Sequence, residues 1–579
     1  MSWGASDDRL CIDAFGREGF ERHVVVIAPG AEQPIFDAEW RDRLIVVEAG
    51  EVELECRGGA RARFVPGDVL FVDGLSVCLV RNPGRVPAVL GTVARHIRPG
   101  PRVDESGAGF RSNPTSSLEV HAMSASAAEI SIKDLRAEVT GPVIGPDDAG
   151  YDEARAVFPG GIDHRPAAIV RVADATDVAR VVTFARERGA KLAVRSGGHS
   201  GVGHGVSEGG ITIDLRGMRE IQIGDDRTAW AQTGLTALEY SSAAGERGLA
   251  TGFGDTGSVG IGGITLGGGV GFLGRKYGLT IDDLLAAEMV TAEGEVLHVD
   301  AETHPDLFWA IRGGGGNFGV ATRFRLRLHE LPSIVGGMLL LPATSETILT
   351  FLAEAEAAPE ELSAIANVMP VPPMPFLPEE LHGQLAILAL MCFAGDAESG
   401  EKALAPFRAI AKPLADMLRP TPYPEIYPPE QEDYHPIVAQ RTMFVDEVDE
   451  PAARTILERL EASDAPMRAV QLRVLGGAMA RVPNDATAFA HRDRRLMVNV
   501  VAMATDPSEL PTRAEWVGPL AASIQRGPEA GYVGFLLDEG QERVRQAYPG
   551  GAFERLARVK AVYDPSNLFR LNQNIPPMQ

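Results

Sequence analysis

Hydrophobic and polar positions change rhythm several times along this chain. Between residues 20 and 98, short β-branched runs follow one another: RHVVVIA, RLIVVEAG, EVELECRGG, ARFVPGDVLFVDG, SVCLVRNPG and AVLGTVARHI. Gly, Pro and Asp separate them at sandwich or barrel spacing, which predicts an all-β unit over 1–100. Residues 101–130 are rich in Pro, Gly, Ser and Ala and read as a linker. From Ile132 the runs AAIVRVA, DATDVARVVTFARERG and KLAVRSGGH predict strand, amphipathic helix and strand. Further strands are expected at ITIDLRGM, TAWAQTG, LLAAEMVTAEGEVLHVD and VATRFRLRLHE, with helices near ALEYSSAAGERG and DLFWAIRGG. Over 331–525, helical stretches (SETILTFLAEAEAA, ARTILERLEAS) alternate with strands (QLAILALMCFAG, RAVQLRVLGG, RLMVNVVAMA). That alternation predicts an antiparallel sheet with helices on one face. The last segment, 526–579, carries a helix from Glu554 and then YDPSNLFRLNQNIPP.

Glycine breaks these rhythms in one place above all. The stretch Gly252–Gly274 holds 11 glycines in 23 positions. Such a tract is not expected to form a packed helix or an ordinary strand, because each glycine adds backbone entropy to be lost. Its backbone N–H groups make a natural cradle for phosphate. About fifty residues earlier stands Arg195-Ser-Gly-Gly-His-Ser200. A histidine directly after two glycines, beside such a cradle, suggests a ligand held by a bond as well as by hydrogen bonds.

Composition narrows the classes. At 579 residues the chain is too long for one core. A net charge of −24 argues against nucleic acid or an anionic membrane as the main partner. The four cysteines (Cys11, Cys56, Cys78, Cys392) form no CxxC pair, which fits a reducing compartment. No basic-plus-apolar leader and no apolar run of 18 residues are present, so a cytoplasmic location is expected. The β-unit has no histidine pair before Val46 and nothing after Pro66-Gly67-Asp68 to complete a metal cage, so no metal is expected there.

Four motifs, in order, carry a resemblance: RSGGHS at 195–200, GSVGIGGITLGGGVG at 257–271, IRGGGGNFG at 311–319 and YDPSNLFRLNQNIPP at 563–577. From about residue 130 onward the chain resembles the flavin-dependent oxidoreductases of the berberine-bridge-enzyme type, in the vanillyl-alcohol-oxidase-like (PCMH-type) superfamily. The EAGEVELE hairpin followed by FVPGDVLFV resembles a cupin. The resemblance implies an α+β fold: a two-part FAD-binding domain (131–330 and 526–579) around a substrate domain (331–525), preceded by the small β-domain.

The resemblance also implies roles. His199 bonds the flavin 8α-methyl group. Thr256 stands where some members carry a second attaching cysteine, so a single link is expected. Ser196, Gly197, Gly198, Ser200, Gly257, Ser258, Gly262 and Gly263 are implied cofactor contacts, with Arg195 offsetting phosphate charge and Asn572 and Asn574 bringing the tail to the flavin. Val259 lies where oxygen approaches, and valine there goes with oxygen access. On the catalytic side, Gln471 and Arg473 share a strand face and would polarise substrate or stabilise an alkoxide. Phe535 occupies a position that is tyrosine in many members. Tyr532, three residues earlier, could replace it only if Gly534 marks a bulge or twist. The implied activity is that of an FAD-dependent oxidase taking a hydride from a small alcohol, carbohydrate or natural-product intermediate, with O₂ reduced to H₂O₂. A flavin dehydrogenase with another acceptor, a ligand-binding protein working through the β-domain, and a homodimer stay open.

Overall fold

The computed structural model describes residues 20–29, 31–34, 43–56, 61–64, 69–71, 77–84, 86, 88–95, 130–374, 377–428 and 434–578. The chain divides into two compact units, Met1–His121 and Ala122–Gln579. The expected linker over 101–130 and the Pro66-Gly67-Asp68 turn lie outside the described residues, apart from Ile130.

In the first unit the β-branched runs become eight strands in two four-stranded antiparallel sheets. One orders Phe20–Ile27, Ala88–Arg95, Arg43–Ala49 and Val69–Phe71, and the other Glu32–Pro34, Val77–Arg81, Val52–Cys56 and Arg61–Phe64. Ile27, Val47 and Leu90 of the first sheet share a buried cluster with Val52, Leu54 and Val80 of the second, the arrangement of a sandwich. Asn82, fully buried, donates to the carbonyls of Ile27 and Val86 at 2.8 Å each and fastens the two ends.

The second unit opens on a four-stranded sheet ordered Leu192–Arg195, Ile211–Asp214, Ala168–Arg171 and Val143–Ile144, its first three strands parallel. Helix Ala175–Glu187 supplies the crossover. Asp174 caps it, accepting from the N–H of Thr176 and Asp177 at 2.8 and 2.9 Å, and its Val178, Val181 and Phe184 stripe is buried on the sheet. A five-stranded antiparallel sheet follows, built from Ile221–Ile223, Thr228–Gln232, Val320–Arg327, Leu284–Val290 and Val296–Asp300.

The middle of the chain forms the expected antiparallel sheet, now seen to have eight strands. Its main path runs Ala415–Asp416, Ile334–Pro342, Leu385–Phe393, Leu362–Pro370, Arg468–Val474, Leu496–Ala504 and Ile437–Val445. Helices Ser345–Ala357, Ala397–Ala409, Glu450–Ala462 and Leu510–Ile524 bury Phe351, Phe407, Ile456 and Leu520 in one cluster with strand residues Leu339, Ile387, Val470 and Val498. Alternation then places Asn367, Gln471 and Asn499, directly opposite one another on adjacent strands, away from these helices. Helix Ala552–Tyr563 closes the chain and returns its tail toward the first sheets of this unit.

Two local expectations fail. Inside the glycine tract, Ile261–Gly267 is a short helix. Glycine lowers helix propensity by about 1 kcal/mol per residue, and here tertiary contacts override it. Near the C-terminus, Val533–Phe535 is a single 3-10 turn, not a strand.

Candidate active site

Ser196 organises the site. Its Oγ donates to the Thr233 carbonyl at 2.6 Å and accepts from Gly262 N–H at 3.2 Å, tying the 195–200 turn to the helix of the glycine tract. The two glycine segments lie backbone against backbone. A Cβ on Gly197 would sit 2.2 Å from Gly260 N, and one on Gly260 would sit 2.1 Å from both Gly197 N and Ser196 Oγ. Gly198 has φ +78°, the left-handed region that turns the chain toward His199.

This junction forms one wall of a cavity of about 520 Å³. Arg195, Ser196, Gly197, Gly198, His199, Ser200, Thr256, Val259, Gly262, Gly263, Tyr532 and Asn572 all line it. Among the expected residues, Gly257, Ser258, Asn574, Gln471 and Arg473 do not. Added Cβ atoms at Gly263 and Gly316, both in the wall, would meet nothing within 4 Å, so the backbone there is open to the cavity.

His199 lies flat on Phe158, ring centroids 4.1 Å apart at an interplanar angle of 15°. Burial lowers its pKa to about 4, against a smaller opposing effect of a hydrogen bond to the Ser258 backbone. The imidazole is therefore neutral at physiological pH. His204, also in the wall, is likewise lowered to about 4 by burial.

Arg195 requires a correction. Its guanidinium is 1% exposed and turned away from phosphate duty: Nη2 donates to Asp214 at 3.0 Å and to the Ala154 carbonyl at 2.5 Å, and Nη1 to the Ala156 carbonyl at 3.1 Å. Asp214 also accepts from Arg216 Nε and Nη2 at 3.0 Å each, and its pKa falls to about 2: these partners outweigh the upward push of burial.

The catalytic expectations change similarly. Arg473 is buried, with Nη2 bonded to the Asp255 carboxylate and to Gln471 Oε1 (3.2 Å) and Nη1 to the Val270 carbonyl (3.0 Å). Gln471 in turn donates to Asn367 Oδ1 at 3.1 Å. Both residues back the wall and present their neighbours to it. Asp255, in the wall, is the one carboxylate among the described lining residues. Tyr532 does reach the cavity, through the 3-10 turn: it lies 5.3 Å from Phe535 ring to ring, and its phenol oxygen accepts from Gly269 N–H at 3.1 Å. Burial raises its pKa, which keeps the phenol protonated.

The sequence reading missed Phe158, Asp255, Gln440 and Asn317. Gln440 and Val438 reach the cavity from strand Ile437–Val445 by simple alternation, and that strand escaped notice. Asn317 holds the C-terminal tail, donating to the carbonyls of Gly314 (2.9 Å) and Gln573 (3.1 Å) and accepting from Ile575 N–H (2.9 Å). A fully buried Lys560–Asp564 pair at 2.6 Å braces the same tail, Lys560 also donating to the carbonyls of Asn317 and Phe569.

FAD-binding sequence signatures coincide with this architecture. Residues 166–300 match the family described as "FAD binding domain", and 531–576 the family described as "Berberine and berberine like". The chain is 32% identical to (R)-6-hydroxynicotine oxidase of Paenarthrobacter nicotinovorans over 462 residues, spanning 76% of this chain and 97% of that protein. The chain belongs to the berberine-bridge-enzyme-like family of FAD-linked oxidoreductases. Glucooligosaccharide oxidase of Sarocladium strictum is 27% identical, over 75% of this chain and 91% of its own length. The crystal structure of 6-hydroxy-D-nicotine oxidase from Arthrobacter nicotinovorans superposes with a TM-score of 0.67 at 28% identity, covering 76% of this chain and 98% of that one.

The residues of this FAD-linked oxidoreductase fit the cofactor. The open backbone at Gly263 and Gly316 leaves room for close approach. Among the described residues Asn572 Oδ1 is buried in the wall with no hydrogen-bond partner, a site for a ribityl or ring donor. Among the described residues no cluster of metal-ligating side chains occurs, and no helix is long and apolar enough to cross a membrane.

Proposed function

We propose that this oxidoreductase is an oxidase that holds FAD through one covalent bond to His199 and oxidises a compact alcohol, amine or natural-product intermediate at the expense of O₂. The observation that carries the proposal is the convergence of the 195–200 turn, the glycine tract and the C-terminal tail on one cavity, with a neutral imidazole in its wall. Bound FAD supplies the acceptor for a hydride from the substrate carbon. The chain supplies the rest. Ser196 and Asn317 hold the backbone segments that line the cofactor, and Asn572 offers its free carbonyl oxygen.

On the substrate side the wall consists of Tyr434, Val438, Gln440, Tyr532 and Phe535. Gln440 already spends its amide on the Phe535 carbonyl at 2.8 Å. Val438 and the rings of Tyr434, Tyr532 and Phe535 favour a substrate with apolar or aromatic surface over a chain of sugars. As the hydride leaves, the substrate proton goes to Asp255, whose Oδ2 is held by Arg473 and whose Oδ1 accepts from Thr256 Oγ1 at 3.2 Å. Tyr532, protonated, can donate to the substrate heteroatom. Val259, in the cavity wall, would leave more room for oxygen than a bulkier leucine once FAD is bound.

The test is anaerobic mixing with benzylic alcohols, cyclic secondary amines and aldoses while flavin absorbance is followed, then admission of air. Bleaching by one of the first two classes and rapid return of colour with H₂O₂ are expected. Dithionite-reduced protein that stays reduced in air for minutes rules out the oxidase; bleaching by aldoses alone rules out the substrate class.

A further inference from the structure

We propose that Phe158 is the positioning residue for covalent flavin attachment: its ring fixes the plane in which the His199 imidazole meets the 8α-methyl group. The proposal rests on the attachment at His199 inferred above.

The stack is built, not incidental. Phe158 N–H donates to the Gly198 carbonyl at 3.1 Å, and the Phe158 carbonyl bonds His435 Nδ1 at 3.1 Å. Just upstream, the carbonyls of Ala154 and Ala156 are held by Arg195, itself locked to Asp214. The buried ion pair thus anchors the segment that carries Phe158, and the same arginine begins the strand-to-turn passage that carries His199. Tyr434 meets the Phe158 ring edge-on, centroids 6.1 Å apart at 65°. Phe158 is confined on both flanks, and both stacked rings line the cavity.

An imidazole on a glycine-flanked turn has two side-chain torsions free to wander. A flat aromatic neighbour removes tilting and leaves motion within the ring plane. In the neutral ring one nitrogen keeps an in-plane lone pair. Holding that lone pair in a reactive direction is the gain expected of orientation.

One C–H bond of the methyl group and the imidazole N–H bond break, and a C–N bond forms. The two protons and two electrons released pass through the flavin to O₂, giving H₂O₂. The chain has only to present the nucleophile.

Full-length protein made under riboflavin limitation is mixed with FAD in air and sampled over time. Acid-precipitated protein reports covalent flavin, and fluorescence quenching reports the Kd for FAD. At saturating FAD, Phe158→Ala and Phe158→Leu are expected to attach it about tenfold more slowly than the wild type, the scale of one lost ring pair. Phe158→Tyr should restore the wild-type rate, and His199→Ala should attach none. Attachment by Phe158→Leu at the wild-type rate overturns the proposal. So does a tyrosine variant as slow as the alanine one, or attachment that falls only in proportion to FAD affinity. Wild-type protein that never acquires acid-stable flavin overturns the attachment at His199 itself, a distinct result.

Discussion

Replacing Asp214 by asparagine tests the anchoring role of the Arg195–Asp214 pair. The substitution keeps shape and removes charge. Arg216 is about one-third exposed and can turn to water, but Arg195 is 1% exposed and pairs with no second anion among the described residues. Breaking a buried pair from one side costs about 3–5 kcal/mol, because the remaining charge is stranded. Proton linkage gives a second measure. The Asp214 pKa falls from 3.8 to about 2, nearly two units, or about 2–3 kcal/mol. The expected loss at neutral pH is about 2–5 kcal/mol. Because the folded-state pKa is depressed, this contribution is fully present above the unfolded pKa near 4 and vanishes as pH falls through about 2. The gap between wild type and Asp214→Asn should therefore close between pH 4 and pH 2. Urea unfolding followed by circular dichroism, with flavin fluorescence as a local probe, measures both. A loss below about 1 kcal/mol at pH 7, or a gap that persists unchanged to the acid limit, refutes the reasoning.

Four further outcomes are expected. Val259→Leu should keep reduction by substrate and lose rapid reoxidation in air, read by stopped-flow absorbance; equal oxygen reactivity contradicts it. Asp255→Asn should slow flavin reduction about 10²–10⁴-fold in stopped-flow absorbance, as for loss of a general base; an unchanged rate places the base elsewhere. Lys560→Met strands the buried Asp564 carboxylate, so covalent flavin incorporation and thermal stability should both drop, by about 3–5 kcal/mol in the latter, and Lys560→Met with Asp564→Asn should recover part of the loss. A chain beginning at Met123 should fold and bind FAD, since the first unit ends at His121; insoluble or colourless protein would show that the second unit needs the first.

Legibility in the sequence follows the range of the interactions. Period-two and period-3.6 patterns foresee the eight-stranded sheet and its helices closely, as at Ser345–Ala357 and Leu496–Ala504, because one buried face is enough to impose them. The glycine motifs likewise locate the cavity wall. What stayed hidden depends on partners far along the chain. Arg195 looks like a phosphate ligand until Asp214 appears on the neighbouring parallel strand, paired in register with it. Arg473 looks free until Asp255, more than two hundred residues earlier, takes its charge. The helix at Ile261–Gly267 violates local propensity and exists because Ser196 and Gly197 press against its first turn. Phe158 carried no signal at all, since nothing in AVFPGG marks an aromatic residue destined to stack on a histidine forty-one positions later.

The glycine seam has a meaning for how this protein can change. Gly197 and Gly260 touch through their main chains with no room for even a methyl group, so neither can be exchanged alone, and no single compensating substitution makes space between two backbones. These two segments, over sixty residues apart, are inherited or lost together. Gly263, three residues beyond that contact, faces open cavity. There an added methyl group meets nothing within 4 Å and displaces only what the cavity holds. Variation that reshapes the chamber without unfolding its frame should therefore begin at Gly263 and stop short of the seam.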